Sequence, residues 1–316
     1  MSWDLSVAGL LIGFLVGLTG MGGGSLMTPI LVIVFGFEPT LAIGTDIAHG
    51  AIFKTIGGLR HRRLGNVQAR LSGWMFLGSA PASLAGVWLA DWLQHRYGDG
   101  IQSVSARVLG SALIFGAIGL VAKTLARAKP VGDGPFLMTR RDRIAAVAIG
   151  VVGGFVVGLT SVGTGVFFGL TMLIVFPLRA VKVVGTDVFH AAALLYVAGI
   201  GHWLAGNVDL HVVLWLLLGS IPGVLLGSQL TLSVDDRPLR VMLAAVLLLS
   251  GIKLLDLPGT TVVIAAGLAA GLGAVMVWLG RSWAARVRIR EPRVPPPGDV
   301  IVPEGERLKP TPNPAE

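Results

Sequence analysis

Residues 13–86 can be laid on residues 154–227 at a constant offset of 141, without a gap, and 28 positions are then identical. A chain that repeats itself at this length is expected to fold as two similar units that bury one another. The matches come in blocks. Gly17-Leu18-Thr19 returns as Gly158-Leu159-Thr160, Gly44-Thr45-Asp46 as Gly185-Thr186-Asp187, and His49 as His190. Gly65-Asn66-Val67 returns as Gly206-Asn207-Val208, and Gly78-Ser79 with Pro81 as Gly219-Ser220 with Pro222.

Both units are apolar. Stretches such as Val212–Leu232 and Val241–Leu255 are too long for ordinary core helices, since about 20 apolar residues cross a bilayer. Only 13% of the chain is charged, where a soluble domain carries about a quarter. The expected fold class is therefore an all-α polytopic membrane protein, with no room for a separate soluble enzyme domain. The first residues, Met1-Ser2-Trp3-Asp4, lack the basic region of a secretory signal peptide, so the first apolar segment is expected to be mature structure. The absence of cysteine excludes thiol catalysis, persulfide relay and cysteine-ligated metals. The net charge of +8 resides in loops and in the Pro-rich segment from Arg281 to Glu316, which points to a positive-inside bias and contact with anionic lipid rather than nucleic acid.

The first apolar stretch of each unit decides the topology. Leu5–Leu18 makes about 21 Å of helix, short of a hydrocarbon core of about 30 Å, and Ser25–Gly36 is shorter still. Between them Gly20-Met21-Gly22-Gly23-Gly24 should interrupt a helix, as Gly163-Thr164-Gly165 should in the second unit. Two readings compete, a broken span that crosses once and a pair of half-helices that returns to the side it entered. Returning hairpins gather Arg60, Arg62, Arg63, Arg127, Lys129, Arg140, Arg141, Arg143, Arg179, Lys182, Arg237 and Arg240 on one side and leave only Arg96 and Arg107 opposite. Single crossings would scatter them, against the positive-inside bias.

The expected architecture is thus two inverted repeats, each a re-entrant half-helix hairpin followed by three spans, near 40–59, 70–92 and 105–126, then 180–200, 210–232 and 238–256. The organisation becomes a first repeat at 1–126, a cytoplasmic linker at 127–142, a second repeat at 143–256, one extra C-terminal transmembrane helix at 257–280 and a basic, Pro-rich, disordered cytoplasmic tail at 281–316. The expected setting is a bacterial inner membrane, with the N-terminus outside and the C-terminus in the cytoplasm.

Backbone that is not helical at membrane depth needs protein or a water-filled cavity around it, so the glycine breaks point to a cavity. A half-helix starting at Gly24-Ser25 would present free N–H groups and the positive end of its dipole to an anion. This makes Gly22, Gly23, Gly24, Ser25, Gly163, Thr164 and Gly165, with Thr45 and Thr186 nearby, candidate substrate-binding residues; the competing role for such glycines is close helix packing. Asp46 and His49 are three residues apart on one expected helix, as are Asp187 and His190, close enough to share a proton and serve proton coupling. A structural hydrogen bond between the halves is the alternative. Lys54 has no counterpart in the repeat, where Leu195 stands, and at this depth it would neutralise a transported anion, or Asp187 when the site is empty, unless it reaches the inner interface. Asn66 and Asn207 are expected to cap the helices that follow, and Pro81 and Pro222 to kink theirs.

The glycine-rich stretch Gly17 to Gly24, Gly44-Thr45-Asp46 and Gly65-Asn66-Val67, together with their second copies, resemble the sulfite exporter TauE/SafE family of membrane permeases. The resemblance runs from about Leu5 to Leu279. It implies a carrier for sulfite, an organosulfonate or another small organic anion, often working outward, to which the two Asp–His pairs add the expectation of alternating access coupled to protons. Ser161, Val162 and Thr164 stand where the first repeat has Gly20, Met21 and Gly23, which implies unequal half-sites. A divalent cation held by the two aspartates is a second transport reading. A lipid-phosphate enzyme is a third, with no motif to carry catalysis, and no Gly-x-x-x-x-Gly-Lys-Ser/Thr loop suggests nucleotide hydrolysis. The expected partners are the small anion and membrane lipids, without cofactor, metal or nucleic acid, and with a homo-oligomer left open.

Overall fold

The structure, a computed structural model, describes residues 2–19, 24–97, 101–125, 136–230 and 236–256. The expected final span at 257–280, the tail at 281–316, most of the linker, and Gly22 and Gly23 lie outside the described residues. Among the described residues there are ten helices and no strand: α1 (Ser2–Thr19), α2 (Gly24–Ile33), α3 (Pro39–Arg63), α4 (Ala69–Tyr97), α5 (Ile101–Leu125), α6 (Arg140–Thr160), α7 (Phe167–Val175), α8 (Ala180–Leu204), α9 (Leu210–Leu230) and α10 (Asp236–Leu255). Each long-short-long pattern of the first five recurs in the second five, as the repeated sequence requires.

Local chemistry sets the boundaries. α6 opens with a capping box in which Thr139 and Asp142 satisfy each other's backbone N–H groups. α3 and α8 both end in a left-handed glycine, Gly65 at φ 69° and Gly206 at φ 78°. In each, the glycine N–H returns to Arg62 or Trp203, and the next asparagine N–H returns to His61 or His202. Asn66 and Asn207 therefore close the helix before them. The expectation that they cap the next helix is corrected for α9, where the Asp209 side chain accepts from the N–H of Val212 at 3.1 Å.

The repeats pack mostly on each other. α1 lies along α9, and α6 lies along α4 in the equivalent way. In both pairs glycines form the contact: Cβ atoms at Gly9 and Gly13 would run into Leu216 and Ser220, and those at Gly150, Gly154 and Gly158 into Met75, Ser79 and Ser83. Backbone atoms meet there directly, the small-residue packing of helices that have no hydrophobic drive to associate in lipid. α3 and α8 form the central pair and run antiparallel, since Gly44 abuts Asn207, Gly50 abuts Leu195 and Gly58 abuts Phe189. Pro81 and Pro222 lie inside α4 and α9.

Among the described residues four helices are long and apolar enough to cross a membrane: Gln102–Leu125, Arg140–Thr160, Ala180–Leu204 and Leu210–Gly227. α3 and α4, with 25 and 29 residues, have the length but not the composition. In α3 the reason is plain, because Asp46, His49 and Lys54 are all buried in the protein interior. Around this core Leu77, Trp88, Phe115, Leu214 and Leu218 are more than half exposed, an outward apolar surface suited to lipid.

A single methyl group tests this packing. Gly154→Ala should cost about 1–3 kcal/mol or more, because the added carbon meets the Ser79 backbone. Gly73→Ala, with open space around it, should be neutral or stabilising by up to about 1 kcal/mol. Thermal unfolding of the two variants in detergent gives the comparison.

Candidate functional site

Between α6 and α7 the chain leaves the helix for six residues, all buried or nearly so. Ser161 ends α6 at φ 61°, and Gly163 and Gly165 take φ values of 136° and 89° that L side chains rarely adopt. These two glycines make the break, whereas the glycines of α6 itself make the packing.

Unwound backbone in an apolar interior needs partners, and here polar and charged side chains supply them. The N–H of Gly165 donates to Asp187 Oδ1 at 3.2 Å, and its carbonyl accepts from Lys123 Nζ at 2.7 Å. Lys54 Nζ donates to Thr164 Oγ1 at 2.6 Å. Ser161 Oγ donates to Asp46 Oδ2 at 2.9 Å, and Thr28 on α2 donates to the same oxygen at 2.5 Å. Two aspartates and two lysines from α3, α5 and α8 therefore converge on three residues of the break, Ser161, Thr164 and Gly165. Lys54 lies within electrostatic reach of both carboxylates, and Asp187 within reach of both lysines.

Asp46 Oδ1 has no hydrogen-bond partner. Asp46 also borders a small cavity with His49, Lys54, Phe53, Gly13 and Ser220. That cavity has room for little more than one water, too little for an anion of several heavy atoms.

The histidines take other partners than those expected. His49 Nε2 pairs with Ser220 Oγ at 2.8 Å and His190 Nε2 with Ser79 Oγ at 3.3 Å, while the neighbouring aspartates turn to the break. Each histidine thus joins its own repeat to the other. Thr45 and Thr186 are engaged in the same exchange: Thr45 Oγ1 accepts from the N–H of Asp209 at 3.0 Å, and Thr186 Oγ1 from the N–H of Gln68 at 2.9 Å. Both hydroxyls satisfy the first turn of a helix in the opposite repeat.

Of the expected substrate-binding residues, Lys54, Gly163, Thr164 and Gly165 come together. Gly24 and Ser25 start α2. Four contributors were missed: Thr28, Ser161, Ser220 and Lys123. Lys123 sits in the last turn of α5, where a lysine reads as a helix-end cation. A usable signal lay across the repeat, because Thr28 corresponds to Gly169, and a Cβ at Gly169 would collide with Lys123 Nζ.

Apolar helices from two interlocked repeats around a buried, charge-lined break define a polytopic membrane transporter, and known relatives carry that description. The Bacillus subtilis (strain 168) protein named "Probable membrane transporter protein YjnA" is 37% identical over 260 residues, which cover 81% of this chain and 100% of the relative. The Methanocaldococcus jannaschii protein named "Probable membrane transporter protein MJ0441" is 23% identical over 268 residues, covering 79% and 94%. The chain belongs to the sulfite exporter TauE/SafE family, which it matches over residues 5–254. No solved structure gives a significant match.

The cross-repeat hydroxyls can be tested directly. Thr45→Val and Thr186→Val should each lower stability by about 0.5–2 kcal/mol, the cost of losing a helix cap, measured by thermal unfolding in detergent.

Proposed function

We propose that this transporter is a secondary carrier that exports small sulfur-containing anions, sulfite or an organosulfonate, by alternating access coupled to the proton gradient of a bacterial inner membrane. The observation that carries the reading is the buried ammonium of Lys54, held to Thr164 in the unwound segment. A lysine at such depth is costly without an anion nearby, and unwound backbone at the end of a helix offers N–H donors to the same ligand. The printed family name, sulfite exporter, supports the substrate class.

Three features support inverted repeats with re-entrant hairpins. α3 and α8 are equivalent helices and run antiparallel, as an in-plane twofold axis demands. The chain folds back after the break: the Phe168 ring lies against Gly153 of α6, and Phe176 beyond α7 meets Phe136 ahead of α6, centroids 6.1 Å apart. Basic residues collect at one end, where Lys182 Nζ donates to the Gly65 carbonyl and the Arg62 and Arg143 guanidinium groups lie over Phe189 and Trp74. The positive-inside bias makes that end cytoplasmic and puts the N-terminus outside. Asp46, His49, Asp187 and His190 are the groups through which protons would couple. Since the cavity beside Asp46 is too small for such an anion, substrate entry there requires the halves to move about the break.

Binding of sulfite, methanesulfonate, sulfate and phosphate to detergent-purified protein, followed by thermal shift between about pH 5.5 and 8, tests the reading. Sulfite or the sulfonate should stabilise selectively, and Lys54→Met should weaken that response far more than substitution of exposed Arg96 by Met. Equal effects would make Lys54 structural. A response to divalent cations alone would replace the anion reading with a cation carrier.

A further inference from the structure

The two aspartates are held differently, and the difference concerns who holds the anion donors. Asp46 is bound by two neutral hydroxyls, Thr28 and Ser161, which can stay in place whether the carboxyl is charged or not. Asp187 instead takes the Gly165 N–H, a free donor of the unwound segment, and shares the notch above Gly169 with the ammonium of Lys123. A Cβ at Gly169 would meet both Lys123 Nζ and Asp187 Oδ2, so the missing side chain is what admits this pair. A backbone N–H and a lysine charge are also what a small oxyanion would need here.

We infer that the Asp187 carboxylate is a built-in stand-in for the transported anion, which binds only when Asp187 takes a proton and gives up the Gly165 N–H and the lysine charge. The inference rests on the anion-carrier reading and fixes its coupling as co-transport: anion and proton leave together, so export runs down the anion's own outward gradient and carries a proton with it. Charge balances: Lys54, Lys123, Asp46 and Asp187 sum to zero, and one monoanion entering with one proton on Asp187 leaves the sum at zero. An interior that must not hold an uncompensated charge would enforce the exchange. The charged groups facing Asp187 are Lys54 from α3 and Lys123 from α5. α7 and the break carry none, His190 on its own helix is turned to Ser79, and the ionisable residues of α4 and α6 stand near the helix ends, Arg70, Asp91, His95, Arg96 and Arg140 to Arg143.

The experiment uses methanesulfonate, which keeps one negative charge across the pH range, and follows binding to the full-length purified protein by calorimetry in buffers of different ionisation enthalpy. The native protein should take up about one proton per sulfonate bound and bind more weakly as pH rises, by up to tenfold per pH unit, the slope set by a one-proton exchange. Asp187→Asn should take up none, bind severalfold more tightly at pH 8, and lose the pH slope. Should that variant fail to fold, Gly169→Ala serves: by crowding Lys123 off Asp187 it should move the pH of half-maximal binding upward by about one unit, the size of effect expected when a carboxylate loses its cation. Sulfonate binding with no proton uptake in the native protein, or unchanged uptake in Asp187→Asn, overturns the exchange and leaves the carrier reading standing. No binding of any anion by any of these proteins removes both.

Discussion

Peptide groups released from a helix inside an apolar body have no water to turn to, and the arrangement around residues 161–166 follows from that need. Ser161, Thr164 and Gly165 are each tied to an ionisable side chain on another helix. The charges are tolerated because they neutralise one another across the break, and the break is tolerated in part because they take the Gly165 N–H and carbonyl and the hydroxyls of Ser161 and Thr164. Neither would stand alone. This mutual dependence makes the centre sensitive to any ion that can take the place of one of the four.

The frame around that centre is stiff for a different reason. Backbone meets backbone where Gly13 abuts Ser220 and Gly154 abuts Ser79, so these helices have little freedom to slide. The same serines hold His49 and His190. Packing and polar contacts thus coincide at two equivalent points. A displacement of α1 against α9 would be felt at His49, and through α3 at Asp46. The geometry couples the two repeats at the level of their packed backbones.

The sequence made the duplication, the break at 161–166 and the buried Asp, His and Lys positions legible, because each leaves a mark within one segment. What lies opposite a residue leaves none. Asp46 and His49 are three apart and share a helix face, but that spacing is silent on whether Ser220 or Ser161 stands across from them. Thr45 and Thr186 looked like ligand hydroxyls because they precede the aspartates, yet each reaches a helix start in the other repeat. Lys123 carried no local mark at all. Its role depends on the empty space at Gly169, which only a comparison of the repeats could have suggested. Asn207 was misplaced by two residues for a simple reason: asparagine suits both a helix end and a helix start, and the backbone chose the first.

The packing of α1 on α9, and of α4 on α6, also sets an order of assembly. α1 leaves the ribosome long before α9, the helix it rests on. Until α9 arrives, the notched face of α1 with Gly9 and Gly13 has no protein surface to meet. It must wait against lipid or against the insertion machinery. α4 is released sooner, because α6 follows it closely in the chain. Assembly would then begin at the α4 and α6 seam, with α1 settling into place only once α9 is made.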